Sequence, residues 1–87
     1  MLQTFIIQGV DCNGHVFRPT DWADRLAGRL CTIQMRRLRY SPYLYPTVHE
    51  GYRSLHVDRM LIELYPELYA DLKAFSLENN LVIILLE

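Results

Sequence analysis

Lysine is nearly missing from this chain, since eight of its nine basic residues are arginine. The planar guanidinium fork suits two-point contact with carboxylate or phosphate better than an ammonium does. Acidic residues are missing from one long stretch, because none falls between Arg29 and His49. Cysteine is scarce as well. Cys12 and Cys31 cannot form a disulfide scaffold, and no secretory leader is legible near Met1, so a reducing cytoplasm is the expected compartment. The longest apolar run, Leu81 to Leu86, is far shorter than the roughly twenty residues of a bilayer-crossing helix, and no membrane partner is expected. Phosphate-cradling glycine loops, dinucleotide fingerprints and a nucleophile elbow are all absent, which leaves no motif for a cofactor.

What is present is one domain's worth of chain. Eighty-seven residues with 51% apolar side chains and 22% charged ones are expected to form a single domain over residues 1–87, too short for two cores. The formal net charge of -1 conceals a segregation. Residues 1–17 carry only Asp11; residues 18–59 set eight arginines against Asp21, Asp24, Glu50 and Asp58; residues 60–87 set Lys73 against Glu63, Glu67, Asp71, Glu78 and Glu87. A basic middle is thus followed by an acidic final third.

Local patterning predicts a two-layer α+β domain, approximately ββαββαβ, with a five-stranded mixed sheet and helices on one face. Gln3 to Gln8 alternate as a half-buried strand, Asn13-Gly14 suits a tight turn, and His15 to Arg18 can return as a second strand before Pro19. Thr20 or Asp21 can cap a helix on which Trp22, Leu26, Leu30 and Ile33 recur as one apolar stripe, with Gly28 inside it suggesting close packing. From Gln34 to Pro46 no period is legible, and extended chain is expected. Leu44 to His49 and Tyr52 to Val57 read as a hairpin about Glu50-Gly51. Asp58 heads a helical turn, and Pro66 opens a longer helix with Leu68, Leu72 and Phe75 as its stripe. Asn79-Asn80 ends that helix ahead of Leu81 to Leu86, which is apolar on both faces and therefore predicted to be a central strand. Helices on one side leave the other sheet face open. Either Tyr40, Tyr43 and Tyr45 fold over it or a second copy of the chain covers it as a homodimer.

Three chemistries compete for the functional role. A metal site could draw on Cys12 and His15 at C-x-x-H spacing with Cys31, His49 and His56, but a single close ligand pair falls short of a zinc pattern, so no metal is expected. Nucleophilic catalysis lacks any pairing of its residues, because Cys31 sits on an apolar stripe and Asp21 and Asp24 suit a helix N-terminus. A small enzyme with an unrecognised pocket stays as the third reading. The strongest feature is Arg36, Arg37, Arg39, Tyr40, Tyr43 and Tyr45, with Arg53 beyond them. Arginine and tyrosine are the residues enriched at hot spots between proteins, which makes a non-catalytic interaction module the leading reading, with an unidentified protein or a second copy as partner. The same residues could bind single-stranded nucleic acid, guanidinium on phosphate and tyrosine under base. A bland alternative pairs these arginines with the acidic final third inside one molecule.

Several blocks together resemble a small family of uncharacterised, mostly proteobacterial proteins known as a domain of unknown function. They are Phe5-Ile6-Ile7-Gln8-Gly9, Phe17-Arg18-Pro19-Thr20-Asp21-Trp22-Ala23-Asp24-Arg25-Leu26, Arg39-Tyr40-Ser41-Pro42-Tyr43, Val57-Asp58, Pro66 and Asn80-Leu81. The Phe-Arg-Pro-Thr-Asp-Trp-Ala run is the distinctive one. The resemblance implies a small α+β domain and brings no activity, cofactor or catalytic residue with it. Within that run Trp22 is expected to be a packing anchor, and Arg18 to brace Asp21 or Asp24 where the helix begins.

Overall fold

The alternation of Phe5 and Ile7 against Ile6 and Gln8 places strand β1, Phe5–Asp11, at the centre of the molecule. The computed structural model describes residues 3–86. After β1 come helix α1 (Trp22–Ala27), a single 3-10 turn (Gly28–Leu30), strands β2 (Thr32–Gln34), β3 (Arg37–Arg39), β4 (Leu44–His49) and β5 (Tyr52–Val57), helices α2 (Leu61–Leu64) and α3 (Pro66–Glu78), and strand β6 (Leu81–Leu85). Four strands form one sheet in the order β4-β5-β1-β6, every neighbouring pair antiparallel. Strands β2 and β3 pair only with each other, as a separate ribbon. With the ribbon set aside, the topology is the split βαββαβ arrangement of ferredoxin-like domains.

Burial follows from which face each residue takes. Phe5, Ile7, Leu44, Leu55, Val57 and Leu81 share the face that α1 and α3 cover, and they join Trp22, Ala23, Ala27, Leu61, Leu68, Tyr69 and Leu72 in one core. Helix α1 is anchored by aromatic contacts: Trp22 stacks on Phe75 of α3 at 5.7 Å, and Phe17 meets both rings edge-on at 5.8 and 5.7 Å. Trp22 is therefore the packing anchor its spacing predicted. The opposite face of the sheet carries no Lys, Arg, Asp or Glu on its strands. On it lie Ile6, Gln8 and Ser54, which are buried, and His56, Tyr45, Thr47 and Ile84, which are half-buried.

Local signals placed several ends correctly. Glu50 and Gly51, at φ 52° and 84°, make the tight turn between β4 and β5, and Asn80 at φ 55° ends α3. Pro66 occupies the first turn of α3, and Asp58 accepts a hydrogen bond from the Met60 N–H at 2.9 Å.

Other expectations are corrected. The sheet has four antiparallel strands rather than five mixed ones, because His15 to Arg18 contribute only an isolated bridge between Val16 and Val10. Strand β6 lies at an edge, not at the centre; its second apolar face joins the open side of the sheet instead of a second layer. Helix α1 stops at Ala27, and Ile33 is 73% exposed on the ribbon. Gly28 is exposed, with open space where a side chain would lie, so it marks no close packing. Arg18 braces neither carboxylate: Arg25 takes Asp21 at 2.8 Å, and Arg53 takes Asp24 at 3.2 Å.

The close approach of α1 to the sheet occurs at Gly9. A β-carbon there would collide with the Arg53 carbonyl oxygen and lie 2.9 Å from Trp22 Nε1. Both neighbours are held, one by the sheet backbone and one by the aromatic cluster, so neither yields cheaply. Gly9→Ala is expected to cost about 1–3 kcal/mol of stability, the range of core overpacking. Urea unfolding followed by Trp22 fluorescence measures it; a change within about 0.5 kcal/mol, as at an ordinary surface site, contradicts this contact.

Candidate interaction surface

A β-ribbon needs a turn, and this one is built without turn residues. Met35 and Arg36 sit at φ 50° and 65° between β2 and β3, the left-handed pair of a tight hairpin turn that Asn-Gly ordinarily supplies. Residues with side chains pay for that conformation in backbone energy, and such strain gathers at functional sites. Thr32 opposes Arg39, Ile33 opposes Leu38 and Gln34 opposes Arg37, so alternation puts Arg37 and Arg39 on one face of the ribbon. Ile33 on the other strand is 73% exposed and Met35 at the tip is 95% exposed. The ribbon is thus a short arm that combines exposed cations with exposed apolar side chains.

The arrangement of ion pairs isolates the arm. Arg25, Arg53 and Arg29 each meet an aspartate: Asp21, Asp24 and Asp71 respectively, the last at 3.5 Å. Among the described residues, Arg36, Arg37 and Arg39 are exposed and enter no ion pair. Asp71 of α3 is the single carboxylate of the acidic final third that pairs with an arginine among those residues, and it reaches Arg29 rather than the arm.

The tyrosines do not gather around these arginines. Tyr40 follows the arm and is 36% exposed. Tyr43 packs against the core, its N–H bonded to Ser41 Oγ at 3.1 Å. Tyr45 lies on the open sheet face, stacked on His56 with ring centres 4.5 Å apart. Arg53 projects on the helix-covered side towards Asp24. The seven residues therefore fall in three places: Arg36, Arg37, Arg39 and Tyr40 at the arm, Tyr45 on the open sheet face, and Tyr43 and Arg53 on the side of the helices. Ile33 and Met35 belong with the arm and escaped sequence reasoning, Ile33 because it prolonged a helical stripe. The signal that could have found them is Arg29 to His49 itself, an acid-free stretch with no helical period.

Elsewhere the side chains converge little. Among the described residues no three His, Cys, Asp or Glu side chains are placed to share a metal ion. Cys12 is an exposed free thiol and His15 faces Asp11 at 3.5 Å, while Cys31 is a half-buried free thiol. Asp11 accepts backbone N–H bonds from His15 and Asn13, and the His15 N–H foremost holds its carboxyl below the usual range. An open cleft of about 540 Å³ lies between Arg29, Leu30 and the start of α3 at Tyr65 to Leu68. No helix among the described residues is long and apolar enough to cross a membrane.

What the geometry defines is a split βαββαβ domain whose first crossover carries a basic two-stranded arm. The chain belongs to the DUF3579 family of proteins of unknown function, whose model matches residues 1–85. A solution structure described as the first structural representative of its family is similar over 97% of this chain and 79% of its own, with 44% sequence identity and a TM-score of 0.83. No curated protein matches the chain.

The Tyr45–His56 stack gives the open face a pH response. Burial pushes the His56 pKa below the ordinary histidine value, against a smaller upward pull from Asp58. A lowered pKa means that the unfolded chain takes up the proton first. The stabilisation is complete above the ordinary histidine pKa and declines as pH falls through it towards the folded-state value. Thermal unfolding is expected to show wild type losing more stability than His56→Phe between pH 7.5 and 5.5. Parallel losses in the two proteins contradict this role for His56.

Proposed function

We propose that this chain is a non-catalytic interaction module of the bacterial cytoplasm. In this reading its arm docks on an anionic surface of another protein. The observation that carries the proposal is the set of exposed guanidiniums at Arg36, Arg37 and Arg39, which meet no carboxylate among the described residues, on an arm whose tip exposes Met35 and whose other face exposes Ile33. Cations alone bind weakly in water, whereas cations flanking apolar anchors match the composition of protein hot spots. Methionine at the tip adds an adaptable contact. Tyr40 adjoins the same surface, while Tyr43, Tyr45 and Arg53 lie elsewhere on the body of the domain. The free thiols of Cys12 and Cys31 suit a reducing compartment.

Single-stranded nucleic acid fits the arm less well. Stacking requires aromatic rings along the path of the cations, and Tyr43 and Tyr45 sit on separate surfaces.

The test is affinity capture from lysate with wild type and with Arg36→Ala/Arg37→Ala/Arg39→Ala, followed by titration of the captured protein and of a deoxythymidine oligonucleotide. A partner held by wild type and weakened at least about tenfold in the triple variant, a loss of some 1.4 kcal/mol, is expected. Identical partners and affinities for both proteins overturn the reading. Oligonucleotide binding that falls steeply with salt replaces it with the nucleic-acid one.

A further inference from the structure

The two edges of the sheet are protected very differently. At the β4 edge, the backbone hydrogen bond from Asp58 N–H to Tyr43 carbonyl fixes the alternation so that Leu44, Pro46 and Val48 direct their backbone groups outward. Pro46 has no N–H to offer there, which is a standard guard against strand addition. At the β6 edge, Leu86 N–H bonds to the Thr4 carbonyl and Cys12 N–H to the Asn80 carbonyl. These bonds fix the alternation of β6 and turn the N–H and C=O groups of Leu81, Ile83 and Leu85 outward. The five residues of β6, Leu-Val-Ile-Ile-Leu, include neither proline nor charge. Natural edge strands seldom go without both.

A groove accompanies this edge. Gln3, Phe5, Tyr69, Lys73, Leu77, Ile83 and Leu85 line about 390 Å³ between α3 and β6, and Leu77 and Leu85 are 72% and 64% exposed.

We infer that β6 pairs with β6 of a second copy of this chain, antiparallel about Ile83, to join two four-stranded sheets into one. The strand is its own complement. Leu81 of one copy faces Leu85 of the other, Ile83 faces Ile83, and in each of these pairs both residues have their donors and acceptors turned towards the partner. No charge opposes a like charge along the strands. Because each α3 lies over its own β6 side, a strand spacing of about 4.8 Å brings the two α3 helices to roughly 10 Å, an ordinary packing distance. Leu77 then fills the groove between them. Among the described residues that line the groove Lys73 is the one charged side chain, and its long stem lets the ammonium reach water. The interface is an edge, not the open sheet face, and it lies across the sheet from β4 and the arm.

Light scattering after size exclusion, over micromolar to millimolar protein, tests this with three variants whose folding is checked by circular dichroism. Wild type is expected as a dimer, with Leu85→Lys and Leu77→Lys each weakening association at least tenfold and Thr47→Glu, on the open face, leaving it unchanged. Leu77→Lys, on an exposed helix position, keeps the test valid if Leu85→Lys fails to fold. A wild-type monomer throughout, or a dimer lost in Thr47→Glu but kept in either lysine variant, overturns the proposal.

Discussion

An 87-residue chain has enough helix to cover one face of one sheet, and everything else about this domain follows from that limit. Small domains bury a modest share of their surface and depend heavily on each buried contact. Here Ile7, Leu55 and Val57 of the sheet and Leu72 of α3 lie at 0–1% exposure where the two layers meet, and Gly9 admits Trp22 against the sheet. What the core cannot include is left outside: the arm, the open face around Tyr45 and His56, and the bare edge of β6. These three exteriors are where function has room to reside.

Charge allocation sorts them. The aspartates at positions 21, 24 and 71 are occupied by arginines of the body, which hold α1, β5 and the turn after α1 in place. Such exposed pairs contribute little stability individually. Their larger consequence is that these carboxylates are not available to the arm. The arm therefore presents positive charge to solvent, while the strand residues of the β6 edge carry none. Were both surfaces used together, a two-fold pair would carry two arms, and a partner engaging both would gain avidity without any new contact.

Short-range chemistry was the legible part of the sequence. Gly51, Asn80 and Pro66 impose backbone geometry by themselves, so the β4–β5 turn, the end of α3 and its beginning were all readable. Long-range choices were not. Leu81 to Leu85 are apolar on both faces, which reads as central burial; the sheet instead places them at an edge, because β5 pairs with the other side of β1. The arm was hidden for a related reason. Its turn rests on Met35 and Arg36, residues that announce no turn, and Ile33 continued the helical spacing begun by Trp22. The candidate arginines were visible as an acid-free run, yet only the fold separates Arg36, Arg37 and Arg39 from Arg53, which Asp24 engages.

The central claim is that no carboxylate among the described residues holds the arm's guanidiniums. Exchange of arginine side-chain Nε–H protons with water, resolved by NMR, tests it residue by residue. Arg25, whose Nε donates to Asp21 at 2.8 Å, serves as the internal standard for a held group. The account predicts that Arg36, Arg37 and Arg39 exchange at the rate of free arginine while Arg25 is slowed. Arm protons slowed as much as that of Arg25 would contradict it.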